Sequence, residues 1–244
     1  YQENIFAAYF NISRAWDLWS LDLGLRAEQT DVRGASKNAG QVNSQYYFEL
    51  FPNMSLLYDA NQNSSFGASY SRSITRPSYE SLNPFRYFIN ENNYTDGNPN
   101  LVPEIDSKYT VSYTYKNTWF LEAYYWHIQN PLEELRFQDN TTRVLQNLES
   151  NLLQGYQYSL DLTYAKSVSS WCLQVVTSGF FIENEFLAQQ SAQEKALVNT
   201  YGFYGQIYSG LVVSEQANIT SDITMLYISN LIFGSYTYKN QFNL

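Results

Sequence analysis

Between Leu18 and Gln29 the side chains change character at every step: Trp19, Leu21, Leu23, Leu25 and Ala27 alternate with Ser20, Asp22, Gly24, Arg26 and Glu28. Successive side chains of an extended chain point to opposite faces, so this segment is a strand with one apolar and one polar side. Wound as a helix, it would scatter the two sets around its circumference. Arg26 indicates which face meets which medium, because an arginine in the middle of a lipid face costs roughly 2 to 4 kcal/mol. The apolar set therefore faces outward, and Asp22, Arg26 and Glu28 line an aqueous lumen. A soluble β-sandwich strand alternates in the same way with its apolar side in a protein core. Taken alone, the segment leaves both architectures open.

The rest of the chain repeats the rhythm. Phe6, Ala8, Phe10 and Ile12 alternate before this segment, and Leu50, Met54, Leu56 and Tyr58 after it. Phe66 to Tyr70, Tyr109 to Tyr115, Trp119 to Tyr125, Tyr156 to Tyr164, Trp171 to Val175 and Tyr201 to Leu211 follow, then a stretch from Ile219 to Ile232 and a further start near Tyr236. About ten strands result, each near the 9 to 11 residues that cross a bilayer at a tilt. Pro52, lacking a ladder donor, predicts a bulge in the third. The connections SRAWD, DANQNS, KNT and AKSVSS are short, whereas those at 31–43, 75–104, 129–150 and 183–198 are long. Short turns at one end and long loops at the other are the periplasmic and extracellular ends of an outer-membrane barrel, and a sandwich has no reason to sort its loops. Trp16, Trp19, Trp119 and Trp171 lie beside short turns, with Tyr156 and Tyr201 at the opposite ends, as in an interfacial girdle.

Composition agrees. Aromatic residues make up 18% of the 244 residues and charged residues only 15%, and Tyr, Phe and Trp favour a pleated surface with one wet side. Mean hydropathy is −0.40, which is no argument against a membrane, because a barrel spreads its apolar residues over alternate positions. A net charge of −9 argues against a general nucleic-acid binder. Cys172 stands alone, which excludes an internal disulfide and a multi-thiolate zinc site.

SYSRSITRPSYESLNPF at 69–85, followed by DGNPNLVPEIDSKYTVSYTY at 96–115, resembles the TonB-dependent receptor barrel, in particular the outer-membrane β-barrel branch. There a strand enters a loop through Arg-Pro, and GNP-x-L-x-PE leads into the next strand; Gly97, Asn98, Pro99, Leu101, Pro103 and Glu104 match. GLRAEQTDVRG at 24–34 and YFELFPNMSLLYD at 47–59 resemble the preceding strands in the same order. The resemblance implies an all-β, antiparallel transmembrane barrel of 22 strands in the outer membrane of a Gram-negative bacterium. It also implies an N-terminal plug and a TonB energy-coupling complex acting through it. Residues 1–244 then form a single barrel segment, with the plug and terminal strands outside it. Physically, Asp96-Gly97 and Asn98-Pro99 are turn pairs, and Pro99 and Pro103 hold the chain extended before the strand begins, so the block reads as loop architecture.

Candidate ligand-binding residues are Arg72, Arg76, Tyr79, Glu80 and Arg86, placed where a strand becomes a long loop. Arginine beside Tyr79 and Phe85 suits an anionic or sugar-like ligand through bidentate bonds and stacking, and suits structural ion pairing better still. Catalysis finds little support. His127, the only histidine, sits in YYWHIQNP as a belt or loop residue. Glu133-Glu134 and Glu183/Glu185 do not have the spacing of a calcium cage. No metal and no cofactor is expected. The reading is import of a small-molecule or oligomeric nutrient, of siderophore, glycan or peptide class, with outer-membrane lipid and the TonB complex as partners and no nucleic acid. The alternative is a barrel serving as a structural or partner-binding platform, for example for a surface lipoprotein.

Overall fold

The computed structural model describes residues 2–36, 41–139, 141–187, 195–214, 216, 219–233, 236–238 and 241–243. In chain order the elements are β1 (Gln2–Trp16), β2 (Trp19–Ser36), β3 (Gln41–Asn61), β4 (Ser64–Thr75), α1 (Tyr79–Leu82), β5 (Arg86–Asn90), β6 (Asn93–Asp96), β7 (Glu104–Tyr115) and β8 (Trp119–Gln129). There follow β9 (Leu132–Asp139), β10 (Val144–Asn151), β11 (Gln154–Val168), β12 (Trp171–Leu187), β13 (Lys195–Ser214), β14 (Ile219–Ile228), β15 (Leu231–Phe233), β16 (Tyr236–Tyr238) and β17 (Gln241–Asn243).

One 11-stranded sheet holds β1-β2-β3-β4-β7-β8-β11-β12-β13-β14-β17 in that order. Its neighbours are antiparallel, and its register keeps like with like. Phe10 faces Leu25 and Ile12 faces Leu23 across the first hairpin; Leu23 then faces Met54, and Leu21 faces Leu56. The row runs on through Ala68, Val111, Ala123 and Leu160. The other face carries Asp22, Ser55, Ser69, Thr110, Tyr124 and Ser159 as one line of partners. The apolar face is exposed, including Leu23, Leu25, Val111, Leu160 and Ile207. An apolar face this broad is stable only against hydrocarbon.

Aromatic rings border that face. Trp19 stacks on Tyr58 at 4.4 Å, Phe66 meets Tyr113 at 4.8 Å and Trp119 meets Tyr164 at 4.7 Å near the short turns. Tyr70 with Tyr109, Tyr125 with Tyr158, and Phe181 with Tyr201 form the row toward the long loops. From Trp119 to Tyr125 the strand rises about 20 Å. His127 lies flat on Tyr156 beside this second row, ring centroids 4.9 Å apart.

The short turns are tighter than the sequence suggests. Trp16 pairs with Trp19, and Val168 with Trp171, which leaves two-residue loops whose first residues, Asp17 and Ser169, take positive φ of 46° and 51°. Such left-handed positions match the twist of the flanking strands.

Four expectations change. Pro52 causes no bulge: β2 and β3 pair unshifted through Leu25 and Pro52, while β3–β4 pairing ends at Asn53–Ser71. The missing N–H faces β4, so the ladder stops there. The loops at 31–43 and 183–198 are largely strand, because pairing continues to Ser36–Gln41 and Leu187–Lys195. Those at 75–104 and 129–150 contain α1 and a second, four-stranded sheet ordered β5-β6-β10-β9. The stretch 219–232 is not one strand, since β14 ends at Ile228 and β15 pairs separately with β16.

A small apolar core lies where these two loops meet the wall. Leu101 and Leu152 are 0% and 1% exposed, and Ile105 on β7 and Leu135 on β9 are buried as well.

Candidate functional site at the barrel mouth

Where β3 and β4 part, arginines take over from the ladder. Arg72 donates to Glu49 Oε2 at 2.7 Å and to the backbone carbonyl of Leu50, and its guanidinium lies 5.6 Å from the Phe51 ring centre. Arg26 covers the same ring at 4.8 Å. Arg76, just past β4, donates to Glu28 Oε2 at 2.6 Å, to Thr30 Oγ1 at 3.3 Å and to the Tyr47 hydroxyl at 3.3 Å; Glu3 is 3.7 Å away. Burial by itself would lower the Arg76 pKa, but the hydrogen bonds to Glu28 and Tyr47 outweigh it and hold it above the ordinary value. Glu28 also has Arg26 at 3.2 Å. These charges brace β1, β2, β3 and β4 on the polar face, where an unpaired buried carboxylate would be costly.

The GNPNLVPE block ties the rim to both loops. The Asn98 amide N–H donates to the Ser81 carbonyl at 2.6 Å, and its side chain donates to the Glu149 carbonyl at 3.2 Å. Asn43 reaches the Pro99 carbonyl, and Gln45 donates to the Leu101 carbonyl at 2.7 Å. Asn151 clamps Val102 from both sides, accepting from its N–H at 2.8 Å and donating to its carbonyl at 2.9 Å. Glu104 accepts from the Leu132 N–H at 2.8 Å. Pro103 precedes it at the mouth of β7. Gly97 leaves no room for a side chain, since a Cβ there would lie 1.9 Å from the Asn83 carbonyl oxygen.

Above the rim stands the loop sheet. Its two inner strands come from different loops, with β6 parallel to β10. Arg86 forms a bidentate pair with Asp96 at 2.8 and 3.0 Å, an interaction that raises its pKa above the ordinary value. The guanidinium lies 3.9 Å from the Tyr94 ring centre. At the β9–β10 turn, Asp139 accepts from the Thr142 hydroxyl at 2.8 Å and the Thr141 N–H at 2.8 Å.

The five candidate residues thus do not form one cluster. Arg72 and Arg76 brace the rim, Tyr79 and Glu80 lie exposed on α1, and Arg86 belongs to the loop sheet. The distances involved separate them, because each arginine found a carboxylate on a strand rather than Glu80. Asp22, Arg26 and Glu28 share the polar face, as the alternation requires. Sequence reasoning missed Glu49, Thr30, Tyr47 and Phe51 as partners. Their parity places them on that face, but parity does not say which strand lies opposite. Asp96 was read only as part of a turn. Glu134 pairs with Arg136 at 3.1 Å and Glu185 with Lys195 at 2.7 Å.

An antiparallel wall with one hydrocarbon face and one polar face, tight turns at one end and folded loops at the other, defines an outer-membrane β-barrel protein. The chain belongs to the outer membrane protein beta-barrel family, whose model matches residues 1–244, and it resides in the outer membrane. It is similar to the FrpB iron transporter from Neisseria meningitidis (F5-1 variant), with 12% identity and a TM-score of 0.50 over 93% of this chain and 38% of that one. It is also similar to the copper transporter OprC, with 10% identity and a TM-score of 0.52 over 93% and 42%. A mutant of the ferric enterobactin receptor PfeA from Pseudomonas aeruginosa matches at 12% identity and a TM-score of 0.50 over 93% and 37%. At such identities the likeness is one of fold: the barrel resembles those of TonB-dependent receptors. The chain spans 37% to 42% of the length of these three structures. No curated protein sequence matches it.

Proposed function

We propose that this chain forms wall and mouth of a TonB-dependent receptor that imports a nutrient across the outer membrane. The observation that carries the reading is the mouth itself. Two long loops are folded into a sheet and held by the GNPNLVPE block above a rim of braced charges, which gives a preformed surface facing the outside. In the whole protein the sheet is one section of a larger closed barrel around a plug, and the TonB complex pulls on that plug to open a path. Asp22, Arg26 and Glu28 line the lumen. Arg72 and Arg76 act by shaping the rim, whereas Tyr79, Glu80 and Arg86 are placed to meet ligand. Import of this kind requires no chemistry on the substrate, so the protein is read as a transporter rather than an enzyme.

The test is growth or uptake on candidate nutrients in cells with and without the inner-membrane energy coupler. Loss of receptor-dependent uptake in the coupler deletion supports import. Unchanged uptake together with a surface lipoprotein that co-purifies in stoichiometric amounts overturns it in favour of a partner-binding platform.

A further inference from the structure

The loop sheet carries a cleft that the rim network does not use. Its volume is about 560 Å³, within the range of about 300 to 1,000 Å³ typical of small-ligand sites. Register sets its layout. Phe88 on the edge strand β5 shares a face with its partner Tyr94 on β6. Gln146 on β10 stands beside Tyr94, and Phe137 on the opposite edge, β9, stands opposite Gln146. An aromatic ring therefore stands at each border, and three strand spacings, about 14 Å, separate β5 from β9.

The polar groups between the rings are already oriented. Asp96 holds Arg86 by two bonds and accepts a third from Gln146 at 2.9 Å, while Tyr94 supports the guanidinium from below. Fixing these groups beforehand lowers the cost of ordering them around a ligand. Glu91 and Asp139 also line the cleft, and Arg86 has its counter-ion in Asp96. Among the described residues that line it, the cleft thus has no spare positive charge for an anion. Phe88 is 67% exposed at its edge.

We propose that this cleft binds a neutral oligosaccharide. The apolar C–H faces of sugar rings lie against Phe88 and Phe137. Gln146 and the remaining N–H groups of Arg86 donate to hydroxyls, and Glu91 accepts from them. The separation of the two rings exceeds one sugar ring, so the ligand is an oligomer. The inference rests on the import reading in one respect, that the bound saccharide is the cargo.

The experiment is equilibrium binding to the purified full-length receptor in detergent. The probes are cellohexaose, maltohexaose, mannohexaose and xylohexaose, their monosaccharides, and a ferric tris-catecholate. At least one hexasaccharide is expected to bind at least tenfold more tightly than its monosaccharide. Phe88→Ala and Phe137→Leu are each expected to weaken it at least tenfold, with heat-modifiable gel migration unchanged. Tyr46→Ala, on an exposed residue of β3, is expected to leave binding unaltered. Absence of binding by all four hexasaccharides, insensitivity to Phe88→Ala, or preference for the ferric catecholate overturns the assignment. Energy-dependent uptake of a non-saccharide, unaltered by Phe88→Ala, overturns it while leaving import standing. Saccharide binding at the cleft without energy-dependent uptake overturns import and leaves the binding site.

Discussion

Arg76 and Glu28 meet at 2.6 Å, fastening the end of β4 to β2 on the polar face of the sheet. Glu28 is only 7% exposed, so its carboxylate is shielded from water while the Arg76 side chain stays partly exposed. Removing the guanidinium with Arg76→Ala leaves the carboxylate with Arg26 as its remaining cation. The expected cost is about 1 to 3 kcal/mol. It should be read as a lower midpoint of heat-modifiable migration in detergent gels. Adding Glu28→Gln to Arg76→Ala should recover part of the loss, because the stranded charge is then gone.

The two faces should respond to charge in opposite ways. Leu160→Arg places a guanidinium on the hydrocarbon face and is expected to cost roughly 2 to 4 kcal/mol. Ser55→Arg, exposed on the polar face, should stay within about 0.5 kcal/mol. Reversible folding into lipid vesicles measures both. Nitroxides at Leu21, Leu23 and Leu160 should collide with dissolved oxygen, and nitroxides at Ser55 and Ser69 with a water-soluble nickel chelate.

Gly97 is a position of close approach. A methyl group there meets the Asn83 backbone at 1.9 Å, and backbone cannot swing aside as a long side chain can. Gly97→Ala is expected to cost about 1 to 3 kcal/mol by overpacking, confined to the loop. Limited proteolysis should then cut within 76–103 while the strands stay protected. Gly179→Ala, whose Cβ meets nothing within 4 Å, serves as the control and should leave the digestion pattern unchanged.

Asp139 ties the β9–β10 turn in a pH-dependent way. Hydrogen bonds from the Thr142 hydroxyl and from the Thr141 and Thr142 amides hold its pKa below the ordinary value. A depressed carboxylate contributes order above the unfolded pKa and loses it as pH falls through the folded one. Protection factors at Thr141 and Thr142, corrected for the intrinsic pH dependence of amide exchange, are therefore expected to fall in acid, below the usual carboxylate range, and to be flat near neutrality. Asp139→Asn should remove that dependence.

Much of the wall was legible because alternation is local. Leu21, Leu23 and Leu25 declare an apolar face wherever the strand ends up, and Asp22, Arg26 and Glu28 declare the opposite one. Loop length was harder to judge. The residues at 31–36 and 41–43 are mostly polar and contain a glycine, yet Asp31 pairs with Tyr46 and Arg33 with Ser44, since a strand that has left the membrane no longer needs an apolar side. Pro52 was expected to cause a bulge, and it ends the β3–β4 pairing instead. Its effect depends on which neighbour its nitrogen faces, and only the assembled sheet decides that.

By itself the sequence determined an all-β chain with an apolar side, a wet side, a tight end and a loop end, because these follow from side-chain period and turn chemistry within a few residues. Only the tertiary structure decided that Arg72 would brace Glu49, that Arg76 would reach Glu28, and that Tyr94 and Gln146 would come side by side from separate loops. The physical reason is that alternation assigns a residue to a face but not to a partner. Partners depend on register and on the path of the loops, which are settled by packing of the whole sheet.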